Sequence, residues 1–287
     1  MFAPVEDLLL SDDISIMNLE SVLTDTAAPV VSEAHMAYTS WAAKFIESGI
    51  DIVNLANDHV YGCGVEGYDT TLDALNAASL PYVENRDIAL LVGANDLLLG
   101  FYASNGGAGS NMRQCITTLQ NAGADIIIVC LNWNDGTTDL YMSNEYHSAR
   151  YAIDCGADIV LGHNGVGLHY FETYEDSIII YGLGEYAGGY DVGDQAAVLQ
   201  ITFVEAEHGL KISETVCIPI APGTDDTPPR ALLPGTEEYD RIILTLNDAP
   251  NYPESTNGAS ETENKSEDIS AAETDSAAVS EEVINEY

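Results

Sequence analysis

The chain has 287 residues, 46% of them apolar, which is enough to bury a sizeable core. It carries 47 acidic residues against 8 basic ones, a formal net charge of −39. Phosphate backbones and anionic lipid surfaces are gripped by clustered Lys and Arg, so this balance excludes nucleic acid and anionic membrane as partners. A soluble, self-repelling surface is the simplest account; a cationic or metal-bearing partner is the alternative.

No run of about 18 apolar residues occurs, so no membrane-spanning helix is expected. Met1 to Leu10 lacks both the basic start and the long apolar core of a signal peptide. The five cysteines, Cys63, Cys115, Cys130, Cys155 and Cys217, form no Cys-x-x-Cys pair, so neither a zinc ribbon nor a disulfide framework is predicted.

In chain order, Ile14 to Met17 is a short strand leading into Asn18-Leu19-Glu20. Trp41, Ala42, Phe45 and Ile46 share one helix face, with Thr39 or Ser40 as cap and Gly49 as stop. Ile50 to Leu55 is the next strand and ends abruptly in Asn57-Asp58-His59. Tyr68, Leu72 and Leu75 mark a helix. Ile88 to Val92 and Leu97 to Tyr102 are strands, the second closing in a glycine-rich turn from Asn105 to Gly109. Met112, Ile116 and Leu119 mark a helix, Ile126 to Leu131 a buried strand, and Tyr146, Ala149 and Ile153 a further helix. Ile159 to Leu161 is a strand that ends in Gly162-His163-Asn164. Strands then dominate, over Leu168 to Thr173, Ser177 to Leu183, Ala197 to Val204 and Lys211 to Pro219, before a last helix from Glu237 to Leu246.

One grammar recurs three times: a helix end, glycine, a small or apolar residue, aspartate, then a β-branched run, at Asp51, Asp125 and Asp158. Helix–glycine–strand units in series imply an α/β fold with strands too apolar to face water. The aspartate reads as a turn residue bonded to its local backbone. Ligands of open α/β sheets bind beyond the carboxyl ends of strands. Those ends deliver Asn18 and Glu20; Asn54, Asn57, Asp58 and His59; Asn132 and Asn134; His163 and Asn164. From Asn251 onward ten acids stand against one lysine and apolar residues are sparse, so residues 251–287 read as a disordered acidic tail after a domain over 1–250. Without the tail the formal charge is still about −30.

These residues resemble a known family. Asn18-Leu19-Glu20, Asn54-Leu55-Ala56-Asn57-Asp58-His59 with Gly64 and Gly67, Trp133 after an apolar strand, Gly156 to His163, and Tyr181-Gly182-Leu183-Gly184 occur in the order seen in bacterial capsule-synthesis proteins of the CapA type. That family is associated with poly-γ-glutamate production and is related to calcineurin-like metallophosphoesterases. The resemblance covers roughly residues 5 to 220. It implies a metallophosphoesterase-like α/β sandwich of two mixed β-sheets flanked by helices, four layers in the order α-β-β-α. It also implies a location outside the cytoplasm or at the cell surface, with an anionic polymer or capsule-synthesis proteins of the cell envelope as partners.

Carried over position by position, the resemblance implies Glu20, Asp58 and His163 as metal ligands. His59 becomes a proton donor or phosphate-contacting imidazole. Asn57, Asn132, Trp133 and Asn164 become binding residues, with Trp133 and Tyr186 at the rim. The departures are several. The family's opening strand, which ends in Gly-Asp, precedes the first residue here. The family's Asn-Asn-His is Asn57-Asp58-His59, its His-Trp-Gly is Asn132-Trp133-Asn134, and its Gly-His-His-Pro-His is Gly162-His163-Asn164-Gly165-Val166. A two-metal centre holds its ions about 3.5–4 Å apart with carboxylates and imidazoles. Amide oxygens are poorer ligands for such ions and valine is none. A divalent metal of the manganese, iron or zinc class is therefore expected to be weakly held or absent.

Each residue also has a plainer reading. His59 can cap the following helix, Glu20 can pair with nearby backbone, Asn57 can hold a tight turn, and His163 can stand behind a site without touching a ligand. His147 and Glu145 are expected to be exposed, and His35 has no evident partner. Two functions stay open: a capsule-biosynthesis protein with a degenerate metal site, or an active metal-dependent phosphoesterase.

Overall fold

Three of the parallel strand pairs are stapled at their base by the recurrent aspartates. The computed structural model describes residues 2–32, 34–133, 144–164, 167–187, 195–207, 209–223 and 227–247; Asn134, Gly165, Val166 and the acidic segment 251–287 lie outside the described residues. The elements in order are Glu6–Leu9 (α1), Ile16–Asn18 (β1), Val22–Leu23 (β2), Met36–Ala37 (β3), Trp41–Glu47 (α2), Ile52–Asn54 (β4), Gly64–Ala78 (α3), Tyr82–Val83 (β5), Ile88–Val92 (β6), Leu98–Asn105 (β7), Met112–Asn121 (α4), Ile126–Asn132 (β8), Asn144–Asp154 (α5), Ile159–His163 (β9), Phe171–Tyr174 (β10), Ser177–Ile180 (β11), Ala196–Ala206 (β12), Gly209–Ala221 (β13), Arg230–Ala231 (β14) and Glu237–Asn247 (α6). A single 3-10 turn, His59–Tyr61, precedes α3.

The α/β arrangement of sheets flanked by helices follows the expectation, with finer division into sheets. The largest sheet runs β10-β11-β9-β8-β7-β6; β7, β8, β9 and β11 are mutually parallel, and β6 and β10 are antiparallel edges. A second sheet, β1-β4-β5, is wholly parallel. β12, β13 and β14 form a third, antiparallel sheet, and β2 and β3 a two-stranded one. Four hydrogen-bonded sheets therefore stand, among the described residues, where two were expected. The long β12–β13 hairpin pairs along its length with itself, and among the described residues an isolated bridge joins Ala196 at its start to Gly184.

Packing explains the apolar strands. Ile52 of β4 and Val83 of β5 meet Leu99, Phe101, Ile126, Ile128, Ile159, Ile178 and Ile180 of the six-stranded sheet in one buried cluster. Phe45, Leu75 and Leu80 cover the other side of β4, where Val53 points. Helices α4 and α5 pack on β7, β8 and β9, so β8 is buried at every position. Such strands have no solvent face and cannot alternate.

The helix stops work as read, and the start of α2 does not. Gly49 has φ +90°, and a Cβ there would lie 2.5 Å from the Leu9 carbonyl oxygen, so only glycine fits. Ser40 makes no side-chain capping bond. Thr39 instead donates its hydroxyl to the Asp25 carboxylate, a partner 14 residues away that local pattern does not reveal.

The aspartates also differ from their local reading. Asp51 Oδ2 accepts the Ser15 N–H at 2.7 Å, Asp125 Oδ2 the Leu98 N–H at 2.8 Å and Asp158 Oδ2 the Ile127 N–H at 2.7 Å. In return the N–H of each aspartate donates to the carbonyl of that same residue, at 3.0, 2.7 and 2.8 Å. Each aspartate thus closes a ring with the neighbouring parallel strand, across β1–β4, β7–β8 and β8–β9. Burial raises the Asp51 and Asp158 carboxyls above their ordinary value, with the accepted backbone bond pulling the other way.

Asp158→Ala leaves the buried Ile127 N–H without its acceptor and should cost about 1–3 kcal/mol in chemical unfolding. Asp158→Asn keeps an acceptor oxygen and should fall between the wild type and the alanine variant. The raised carboxyl adds a sign: the native state binds its proton more readily than the unfolded chain. This group's contribution to stability therefore declines as pH rises from the ordinary carboxylate range through the raised native value, and Asp158→Asn should flatten that part of the profile.

Candidate functional site

The carboxyl ends of the parallel strands present a row of amides. Asn18 ends β1 and pairs in register with Asn54, which ends β4. Asn105 ends β7 level with Asn132 at the end of β8, and Asn132 is level with His163 at the end of β9. Asparagine suits these positions because its side chain can satisfy backbone or neighbouring groups just where the ladder stops.

On the first sheet these side chains form one network. Asn54 Nδ2 donates to Asn18 Oδ1 at 2.8 Å, and Asn18 Nδ2 donates to Glu20 Oε1 at 2.7 Å. Asn57 Nδ2 donates to the Leu19 carbonyl at 2.9 Å, and Asn57 Oδ1 accepts the Val60 N–H, bracing the 3-10 turn. That turn presents His59, whose Nε2 lies 3.8 Å from Glu20 Oε2. The His59 ring stacks on His35 with centroids 4.5 Å apart and planes 9° from parallel.

The second network runs along the larger sheet. Exposed Asp58 accepts from Asn105 Nδ2 at 2.7 Å, and Asn105 Oδ1 accepts from Asn132 Nδ2 at 2.8 Å. Asn132 is fully buried, and its Oδ1 has no hydrogen-bond partner among the described residues. His163, level with Asn132 on the larger sheet, reaches the first network: its Nε2 lies 3.3 Å from Asn54 Nδ2 and 3.3 Å from the Ala56 carbonyl. It accepts from the first or donates to the second according to tautomer. Burial pushes the His163 imidazole below its ordinary value, against the pull of the Glu20 carboxylate and of backbone bonds to Ala56 and Leu161. At neutral pH the ring is uncharged.

Glu20, Asn57, His59 and His163 are thus joined through shared partners, Asp58 and Asn132 are joined separately through Asn105, and Trp133 and Asn164 stand apart. Trp133 is 1% exposed. Its Nε1 donates to the Tyr181 carbonyl at 2.8 Å and its ring lies under Gly162. It is a floor beneath β9 and not a rim. Tyr186 likewise packs on Phe2, with ring centroids 5.6 Å apart. Asn164 is exposed, with φ +59°, past the end of β9. Glu145 is buried, against expectation, and His147 is exposed. Among the described residues no three His, Cys, Asp or Glu side chains come together in a way that can hold a metal ion. Reading strand ends as isolated positions named Asn54 but missed Asn105 and His35; for Asn105 the available signal was the repeated placement of Asn as the last residue of an apolar run.

The model of the bacterial capsule synthesis protein family, PGA_cap, matches residues 1–85 and 100–190, more than half of the chain. The chain belongs to that family. The match spans the strands that carry Asn18, Asn54, Asn105, Asn132 and His163, and the fold is accordingly metallophosphoesterase-like. The capsule biosynthesis protein CapA of Bacillus anthracis is 29% identical over 166 residues, 49% of this chain and 40% of that protein. The PGA biosynthesis protein CapA of Bacillus subtilis (strain 168) is 25% identical over 212 residues, 65% of this chain and 56% of that protein. The chain therefore spans about half the length of the curated relatives it matches. Among solved structures, Vps29 of Chaetomium thermophilum covers 71% of this chain at 13% identity, and 96% of its own length is covered; at a TM-score of 0.25 this likeness carries no weight.

The contact of Trp133 with Gly162 gives a test of how His163 is placed. A Cβ on Gly162 would lie 2.3 Å from Trp133 Nε1 and 2.5 Å from two ring carbons. Gly162→Ala should destabilise the fold by about 1–3 kcal/mol through overpacking, read by denaturant unfolding. A neutral result would show that the indole is free to move.

Proposed function

We propose that this chain serves capsule or cell-envelope polymer biosynthesis, with poly-γ-glutamate as the polymer and in the manner of the PGA biosynthesis named for its Bacillus subtilis relative, through binding rather than phosphoester hydrolysis, with a degenerate metal site. The observation that carries the proposal is the amide row. Where a pair of dications needs several carboxylates and imidazoles, the strand ends offer Asn18, Asn54, Asn105 and Asn132. The charged groups are already committed: Glu20 to Asn18, Asp58 to Asn105, His163 to Asn54 or Ala56. This donor set does not fit a two-metal centre of manganese, iron or zinc.

Charge bears on the partner. A chain at −39 repels an anionic polymer, so direct contact with such a polymer needs bridging cations, while a capsule-synthesis protein with a basic surface is attracted. The proposed setting is the cell surface, where the polymer is assembled. No helix of the described residues is long and apolar enough to cross a membrane.

A second reading, an active metal-dependent phosphoesterase, is favoured by one observation. The buried Asn132 Oδ1 is an oxygen donor without a partner among the described residues, level with His163, and in that reading it joins Glu20, Asp58 and His163 as ligands while His59 handles a proton. A panel of phosphomonoesters and phosphodiesters with added manganese separates the two. The binding reading expects no turnover above background, unchanged by His59→Ala. Turnover that His59→Ala lowers by about 10²-fold or more, the usual range for a lost acid or base, would establish the second reading.

A further inference from the structure

Two carboxylates fix which way the amides of the strand-end row point. A carboxylate only accepts hydrogen bonds, whereas an asparagine side chain accepts at one end and donates at the other. Asp58 Oδ1 therefore draws the Nδ2 end of Asn105, at 2.7 Å. That turns Asn105 Oδ1 toward Asn132, whose Nδ2 donates to it at 2.8 Å. Asn132 Oδ1 is left at the far end of this chain, turned away from Asn105. Glu20 acts in the same way on the smaller sheet: Oε1 takes Asn18 Nδ2, and Asn18 Oδ1 takes Asn54 Nδ2 and Asn57 Nδ2.

Register defines the place where the longer sheet's chain ends. Asn105, Asn132 and His163 are level on neighbouring parallel strands, about 4.8 Å apart, and share one face. That face looks toward the smaller sheet, because His163 reaches Asn54 and the Ala56 carbonyl there. With Asn105 on its other side, Asn132 Oδ1 is directed into the space beside His163. The residue is 0% exposed, and this oxygen has no partner among the described residues. A buried acceptor without a donor is costly. Charge at this place is one-sided as well. Glu20 lies close enough to His163 to act on its imidazole, and Asp58 stands one amide away from Asn132. No Lys or Arg pairs with either carboxylate among the described residues.

We propose that the space between Asn132, His163 and the two carboxylates takes a primary ammonium group, carried by a lysine side chain or a small amine. An ammonium brings one positive charge and three donors on a compact head. The place offers it an amide oxygen without a donor and two carboxylates without a basic partner. A single charge asks for far fewer anionic ligands than a pair of dications does. A slender aliphatic stem can carry the head to an oxygen as deep as Asn132 Oδ1, whereas a guanidinium is broader and suits a flat pair of acceptors. The net charge of −39 draws such a cation in. This inference rests on the binding reading of the site and names the group bound; a capsule-synthesis protein with a basic surface presents that group.

Isothermal titration calorimetry of the full chain tests this, at about 0.15 M salt to screen the diffuse attraction of the acidic surface. Nα-acetyl-lysine methylamide should bind saturably. The norleucine analogue, which keeps the stem without the charge, and tetramethylammonium, which keeps the charge without N–H groups, should bind at least tenfold more weakly. Methylammonium that matches the lysine derivative makes a small amine the source, and methylammonium that binds more weakly makes it a side chain; either supports the proposal. Asn132→Leu removes the acceptor, and Asn105→Ala frees Asn132 to turn while both carboxylates stay. Each, checked for native circular dichroism, should weaken lysine binding at least tenfold. Tetramethylammonium that binds as well as the lysine derivative would overturn the proposal. So would the absence of saturable binding by any primary amine, or binding that both variants leave unchanged. Such a failure overturns the ammonium alone, whereas turnover in the phosphoester panel overturns the wider binding reading.

Discussion

Register between buried parallel strands is the constraint on which the rest of this structure depends. A parallel ladder has evenly spaced bonds and no tight hairpin to set its alignment, so something else must fix which residue faces which. Here an aspartate before β4, β8 and β9 does so, exchanging two hydrogen bonds with one residue of the adjacent strand. Once Ser15 is locked to Asp51, Asn18 and Asn54 must finish level; once Leu98 is locked to Asp125, Asn105 and Asn132 must; once Ile127 is locked to Asp158, Asn132 and His163 must. The aspartates lie at the opposite ends of the strands from the candidate site, and they determine its layout.

What arrives at the carboxyl ends is mostly amide, and amides satisfy one another. Asn18, Asn54 and Asn57 bind each other and Glu20; Asn105 bridges Asp58 and Asn132. The lattice carries two carboxylates, Glu20 and Asp58. Burial, not the lattice, lowers the His163 imidazole where it stands between the two sheets, with the Trp133 ring under Gly162 beside it. The one buried acceptor of this lattice with no partner among the described residues, Asn132 Oδ1, sits near the centre of the larger sheet's row of strand ends.

The fold was legible because its signals are local. Apolar runs bounded by glycine found β4, β8 and β9, and i,i+3 and i,i+4 spacing found α3, α4 and α5. The site was legible only as a set of strand ends. Asp51, Asp125 and Asp158 were visible as a repeat, but their partners lie 36, 27 and 31 residues away, and a turn motif carries no long-range address. Trp133 follows a buried strand, and only the parallel pairing of β8 with β9 puts its ring under Gly162 instead of at a rim. His35 was unreadable because its stack on His59 forms between segments brought together by the β2–β3 pairing.

Family membership and ligand chemistry pull in different directions. The fold is the one on which two-metal phosphoesterases are built, yet the residues at the strand ends of this chain are committed to each other. The most direct measurement is the metal content of the purified chain after equilibration with manganese and removal of free ion. Fewer than two tightly held ions per chain are expected, with no exchange-coupled pair in the manganese electron paramagnetic resonance spectrum. Two ions per chain with a coupled-pair spectrum, lost on replacing Asp58 or His163, would contradict a degenerate site.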